Sequence, residues 1–519
     1  MRRLTPGRAI ACILATTLLL AACRASPRAA RSPVVYGVVT QPVRLNPITQ
    51  PDIVSRWAIE LVFDGLVDVD DHLEVVPTLA TSWETSTDGM LLTFHLLRGV
   101  RWHDGQPFTS ADVKFTYDTI RDPNAQPTIA KSDYASIAGI EAPDDLTVIF
   151  RLKYPDASLP SKLTTGIAPR HLLEGQDLAT APFNRQPVGT GPFRLESWQP
   201  DQQLTFVANS GYFGGRPRLD RIVWRIVPDS SALILQLLSG EVSAAAVSTP
   251  QDLRSVREEP TLAVYPVLGG PFQISFQLQN PLFRDQRVRQ ALAYALDKEA
   301  MVEKLMGGAA TIATSDILPN SWAYNPDVNT YPYDPSQARS LLAQAGWQPG
   351  ADGVLVRDGQ PFRFELITDA GDELRRQIAL FVRQQWAEVG VQADVVFVER
   401  NTLIFDRLLK GQFEAALLQS SVRADPDLSR RFHSRSIEAG QNFLHYANPE
   451  VDDLLDRGLA AQRRSERQAI YFEVQRLMAE DLPQIPLFYP QAGYAFRAYL
   501  KGIRPSSVSP FWNVEDWGY

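Results

Sequence analysis

The chain has 519 residues, more than one hydrophobic core ordinarily serves, so two or more lobes are expected. Its formal net charge of −8 argues against a nucleic-acid partner. The sequence carries no G-x-S-x-G elbow, H-E-x-x-H pair, C-x-x-C motif or Walker loop, and its six histidines show no helical metal-ligand spacing. Neither an enzyme nor a cofactor is expected.

Taken in chain order, Arg2, Arg3 and Arg8 precede an apolar run, Ala9 to Ala22, that is too short to span a bilayer comfortably. Residues 1–22 therefore read as a signal segment. It ends in Leu20-Ala21-Ala22-Cys23, which resembles a bacterial lipobox, with cleavage before Cys23 and a diacylglycerol on its thiol. An ordinary secretory signal cut nearby is the alternative. The other cysteine, Cys12, lies inside the signal, so the processed chain has neither a disulfide nor thiolate chemistry, although it folds outside the cytoplasm. Residues 23–33 read as a tether. No later apolar stretch reaches the roughly 18 residues of a membrane span.

Val34 to Val39 reads as a strand, and Ile53 to Leu66 has helical period. A run of about 35 residues follows, with Leu79-Ala80-Thr81-Ser82-Trp83-Glu84, then Asp88-Gly89, Phe94, Leu97-Arg98, Trp102-His103-Asp104-Gly105 and Phe108 to Phe115. Both Asp-Gly pairs are turn signals. Thr109 caps a helix over 110–120, with Asp112 completing a capping box. Val188-Gly189-Thr190-Gly191-Pro192-Phe193 is a structural turn rather than a phosphate loop, since no Gly-Lys-Ser/Thr follows. Strands at 203–208 and 221–227 precede a helix at 230–239. A strand over 272–278 leads to an amphipathic helix with Val288, Ala291, Leu292, Ala295 and Leu296 on its apolar stripe. Arg284, Arg287 and Arg289 read as its solvated face.

A second α/β unit follows. Helix 335–345 stops at Gly346, and strand 362–368 leads to helix 372–389, stopping at Gly390. Trp386 on that helix reads as core. Strands at 391–398 and 413–419, the Asp425-Pro426-Asp427 loop and two helices over 450–480 complete the unit. His433 and His445 read as ordinary polar residues. The alternation predicts an open α/β sheet.

The run from Leu79 to Phe115 resembles, in order, spacing and residue type, the signature of the family 5 solute-binding proteins, the dipeptide, oligopeptide and nickel receptors of ABC importers. The likeness extends over nearly all of the chain after the signal. It implies an α/β, two-lobed periplasmic-binding-protein fold (type II, cluster C) with a discontinuous first lobe and an extra subdomain. Lobe I would comprise 34–70, 188–271 and the C-terminal return 491–519, with the extra subdomain at 71–187 and lobe II at 272–490. It further implies a lipid-anchored, extracytoplasmic monomer, periplasmic or on the outer face of the cytoplasmic membrane, that closes on a peptide and hands it to a permease and ATPase complex.

The resemblance also nominates residues. Asp425 stands where a loop acid holds the peptide amine. Thr40 and Gln41 match a cleft-lining turn, and Trp322 a ring that stacks in the cleft. Asn442 and Phe443 match an asparagine segment before the Tyr446 turn, and Arg423 is a candidate counter-charge. No basic residue stands out as the carboxylate anchor. The same fold could instead take a nickel chelate, an oligosaccharide, an opine or another small solute. A surface chaperone or signalling lipoprotein is the reading from a different class.

Overall fold

A computed structural model describes residues 33–49, 52–122 and 131–519. The expected signal segment and Cys23 lie outside the described residues. The framework is one 12-stranded mixed sheet. Its axis is the long strand Gln484–Arg497, which belongs to both lobes. The first half of this strand pairs with Phe272–Phe276, and the second half with Leu262–Leu268 and Ala244–Val247. Beyond Phe272–Phe276 lie Ala415–Gln419, Arg363–Asp369 and Gln392–Val398, forming lobe II. Beyond Ala244–Val247 lie Val34–Val38, Arg221–Ile226, Gln203–Ala208 and Phe193–Gln199, forming lobe I. A separate four-stranded antiparallel sheet between Ala80 and Leu152 carries the signature run.

Two stretches of chain cross between the halves, at 269–271 and near Pro490. Gly270 is required at the first, because a Cβ there would collide with the Ser420 carbonyl oxygen. Each half has its own core. Lobe II packs around Phe276, Phe283, Phe364 and Trp386, whose indole Nε1 donates to the Leu292 carbonyl at 2.9 Å. Lobe I packs around Tyr36, Trp224 and Phe496, against which the C-terminal Phe511 and Trp517 stack at 4.8–5.4 Å.

Local signals are visible in the result. The Thr109–Asp112 capping box opens helix Ser110–Arg121, and Asp334 caps Pro335–Gln344. Gly189 lies so close to Val62 that a Cβ would overlap its carbonyl, so the glycine-rich segment is a close backbone crossing. The same contact explains an early helix stop. Helix Ile53–Val62 ends four residues before Leu66, because the Val62 carbonyl accepts from Gly191 at 2.8 Å and Phe63 is extended.

One reading is corrected. Arg289 is not on a solvated face. It is buried, and its guanidinium donates to the carbonyls of Phe283, Arg284, Asp481 and Leu482. Its neighbour Arg287 remains at the surface, paired with Asp285.

Candidate ligand-binding cleft

Two adjoining cavities lie where the lobes face each other. The larger, about 530 Å³, has walls from lobe I, from the inserted four-stranded unit and from the segment 421–427 of lobe II. The smaller, about 350 Å³, is a recess within lobe II behind the same segment. Ser421, Arg423, Asp425 and Asp427 line both, so the strap that follows strand Ala415–Gln419 is the partition.

The lobe I wall is acidic. Asp64 follows helix Ile53–Val62 and accepts from Thr190 Oγ1 at 2.7 Å and Tyr212 OH at 3.0 Å. Burial pushes its pKa up to about 6, against those two donors. Asp68 is pushed up to about 8, first by enclosure and then by the like charges of Glu60 and Asp64. Glu515 rises to about 7 through burial, with Asp64 and Asp516 adding to it. Arg56 is the cation that bears on Asp68, and its Nε is bound to Glu60 at 3.0 Å. The larger cavity thus presents carboxylates that burial and mutual repulsion drive toward their neutral, protonated form. Trp512 contributes an apolar wall beside them.

The lobe II recess has the opposite character. Arg375, Arg400, Arg423, Arg430 and Arg431 line it, against Asp316, Asp425 and Asp427. Arg431 is held by Asp316 at 3.3 Å, by Ser420 Oγ at 2.6 Å and by Ser275 Oγ at 3.1 Å. Burial depresses its pKa and the like charge of Arg423 adds to this, with Asp316 opposing. Arg375 pairs with Asp369 at 3.2 Å. Among the described residues, Arg400 and Arg423 reach carboxylates only at 3.9 Å, Asp369 and Asp133 respectively.

Of the residues nominated by sequence, Arg423 and Asp425 line both cavities and Phe443 lines the recess. Asp425 is fully engaged. Arg467 donates to both its oxygens at 2.8 Å, and the Asp427 amide donates to Oδ1 at 3.0 Å. Against its own burial, Arg467 has its pKa driven up by that carboxylate. Trp322 lies behind this pair, its ring centroid 5.5 Å from the Arg467 guanidinium carbon, and lines neither cavity. Asn442 is buried and bridges its own loop, donating to the His433 and Tyr446 carbonyls and accepting from the Tyr446 amide. Thr40 is exposed. Gln41 clamps a lobe I turn through Asp201 and the Trp198 indole, away from both cavities.

The inserted unit closes the cleft against lobe II. Asp133 meets Arg430 at 3.1 Å, Lys162 meets Asp427 at 3.7 Å, and the Ala157 amide donates to the Leu459 carbonyl. Sequence reasoning missed Asp64, Asp68, Glu515, Arg400 and Arg431. Asp64 and Asp68 sit in Asp64-Gly65-Leu66-Val67-Asp68, where only the acid spacing around a glycine marked them. The others lie far apart in sequence and converge only in space.

A two-lobed α/β molecule with a solute-sized cavity between the lobes defines the class of receptors that bind by enclosing a ligand. A family model described as bacterial extracellular solute-binding proteins, family 5, matches residues 74–436, and the chain belongs to that family. It is a binding protein, not an enzyme. The oligopeptide-binding protein AppA of Bacillus subtilis is 30% identical over 494 residues, covering 93% of this chain and 91% of the relative. The structure of AppA in complex with a nonapeptide superposes with a TM-score of 0.79 at 30% identity, covering 94% of this chain and 98% of the other. NikZ of Campylobacter jejuni, in complex with Ni(L-His), superposes with a TM-score of 0.80 at 29% identity, covering 94% and 99%.

Proposed function

We propose that this chain is the solute-capturing component of an ABC importer, that it takes peptides into the interlobe cavity, and that it delivers them to a permease after the lobes close. The observation that supports this most is the cavity of about 530 Å³ between the two lobes, in a relative of an oligopeptide-binding protein whose structure was solved in complex with a nonapeptide. Closure is favoured only as far as the solute prefers the closed form. The chain crossings at 269–271 and near Pro490 are the proposed hinge. Native mass spectrometry of protein purified without denaturation tests the solute. Co-purified peptides are expected, and a metal chelate or sugar in their place would overturn the peptide reading. The likeness to a receptor seen with Ni(L-His) makes a metal chelate the second reading.

We further propose that Cys23, outside the described residues, carries the lipid that holds the protein to the outer face of the membrane. The two acyl chains of the diacylglycerol supply about 0.8 kcal/mol per buried CH₂. Cys23→Ser is therefore expected to move the protein from the membrane to the soluble fraction. A serine variant that still sediments with membranes would overturn the lipid anchor.

A further inference from the structure

We infer that the end of lobe I from which the chain leaves toward Cys23 is a membrane-contact surface, seated against phospholipid headgroups by the stacked pair Tyr499 and Tyr519. This rests on the reading of Cys23 as the lipid-bearing residue and goes beyond it, because it gives the anchored protein a fixed face.

The argument begins with where the chain emerges. The first strand, Val34–Val38, starts at this end of the lobe I sheet. Its Val35 carbonyl accepts from the Ser243 amide at 2.7 Å, and the Ser243 carbonyl accepts from the Arg497 amide at 2.8 Å. Arg497 closes the long strand, and Tyr499 follows two residues beyond it, so the ring stands two strands from the chain's exit, roughly 10 Å across the sheet. From Cys23 to Val34 the chain advances by eleven residues, a span that covalent geometry limits to about 40 Å. A lipid on Cys23 therefore keeps this end of the molecule near the bilayer. Arg24, Arg28 and Arg31 fall within that span with no acid between them, and anionic headgroups attract them.

The surface waiting at this end suits such a neighbour. Lys501 and Gly518 exchange both backbone hydrogen bonds, at 2.8 and 3.0 Å, and this clamp brings Tyr499 and Tyr519 together. Their ring centroids are 6.0 Å apart and their planes differ by 14°. Tyr499 is nevertheless 51% exposed and Tyr519 37%. A tyrosine has an apolar body and a polar tip, which matches the headgroup level of a bilayer. The rim carries both signs, Arg218 and Lys501 against Glu241 and Glu259, so the rings and not net charge define the patch. The anchor and the rings both belong to lobe I. Seating lobe I on the bilayer leaves closure to move lobe II over a fixed partner.

The test uses the processed, lipidated protein in vesicles of phosphatidylcholine and phosphatidylglycerol. With Cys12 removed in the signal and Cys23 acylated, the chain has no free thiol, so one introduced cysteine can be labelled alone. Pro260→Cys places a fluorophore at the same end as Tyr499, since the Ala498 amide bonds the Thr261 carbonyl across that strand pair. Val39→Cys places it just past the far end of the first strand, at a residue 44% exposed. A nitroxide carried on the lipid headgroup is expected to quench the label at 260 about threefold or more above the label at 39. In Tyr499→Ser/Tyr519→Ser that ratio should fall below about 1.5, with the melting temperature within about 2 °C of the parent because both rings are at the surface. Tyr499→Ser alone, the more exposed ring, replaces the pair if the double variant melts lower. Equal quenching at the two positions overturns the contact, as does an excess at 260 that survives loss of the rings. A dimer of the Cys23→Ser chain in solution that disappears with the tyrosines would assign the pair to a second copy and overturn the bilayer as its occupant. A thiol that reacts in the chain with no introduced cysteine would mark Cys23 as free, and would overturn the lipid reading and this contact with it.

Discussion

Asp425 and Asp68 line the same cavity from opposite lobes and carry their charge in different ways. Asp425 has two 2.8 Å hydrogen bonds from a buried guanidinium. Asp68 has one backbone donor, the Val69 amide at 2.7 Å, and two acidic neighbours. The strap wall is thus compensated within the protein, whereas the lobe I wall leaves compensation to protons, water or solute. A carboxylate in a cleft is a candidate anchor only when its charge is still available, and the Asp-Pro-Asp motif does not reveal that. An amine anchored at Asp425 would have to share the carboxylate with Arg467.

The largest effect is expected from breaking the compensated side. Arg467→Met strands a buried carboxylate and should cost about 3–5 kcal/mol in stability, read from urea denaturation. Adding Asp425→Asn should restore most of the loss, since the amide oxygen still accepts from Asp427 while the charge is gone. A single variant within about 1 kcal/mol of wild type would show that Asp425 is hydrated or protonated, and that it resembles Asp68 after all.

The uncompensated side is sharpened by pH. The folded state raises the pKa of Asp68 to about 8, so between the ordinary carboxylate value and pH 8 the folded chain holds a proton that the unfolded chain has lost. Stability from this group is fully present below pH 4 and declines as the pH rises through 8. Asp68→Asn removes that slope. The variant should match the wild type below pH 4 and exceed it at pH 8 by about 1–2 kcal/mol, a value reduced for a group facing a wet cavity. Parallel curves for the two proteins between pH 5 and 8 would place Asp68 among freely solvated carboxylates.

Much of the scaffold was legible because it rests on local rules. Thr109 with Asp112, Asp334 before Pro335, and the glycines after the helices each settle a backbone turn within a few residues, and each element stands where those signals put it. The order of strands was not legible, because Gln484–Arg497 pairs with segments more than 200 residues away. The charges were least legible. Arg467 lies 42 residues beyond Asp425, and nothing in either neighbourhood announces the other. Arg289 follows the period of a surface position, yet it is buried because four carbonyls converge on it. Asp64 sits just after a helix and Asp68 in the first strand of a short hairpin, where acids usually mark solvent, and they face the cavity only because the inserted unit and the C-terminal segment enclose them.

The smallest effect concerns the contact that brings the two walls together. Asp133 extends from the inserted unit to Arg430 at 3.1 Å and Arg423 at 3.9 Å, and all three side chains are partly exposed. Such pairs contribute at most about 1 kcal/mol, so Asp133→Asn should leave the denaturation midpoint almost unchanged. Its effect should fall on the balance between open and closed forms, where even a fraction of a kcal/mol shifts populations by a measurable factor. The variant also frees both arginines toward the recess and so adds to the positive charge there. Small-angle scattering of the solute-free variant should give a larger radius of gyration than the wild type at low salt. The difference should shrink at about 1 M salt, where screening weakens the pair in the wild type as well. Identical profiles at low salt would assign closure to the half-buried Lys162–Asp427 contact and the Ala157–Leu459 hydrogen bond. Asp133 would then tune the charge of the recess without setting the distance between its walls.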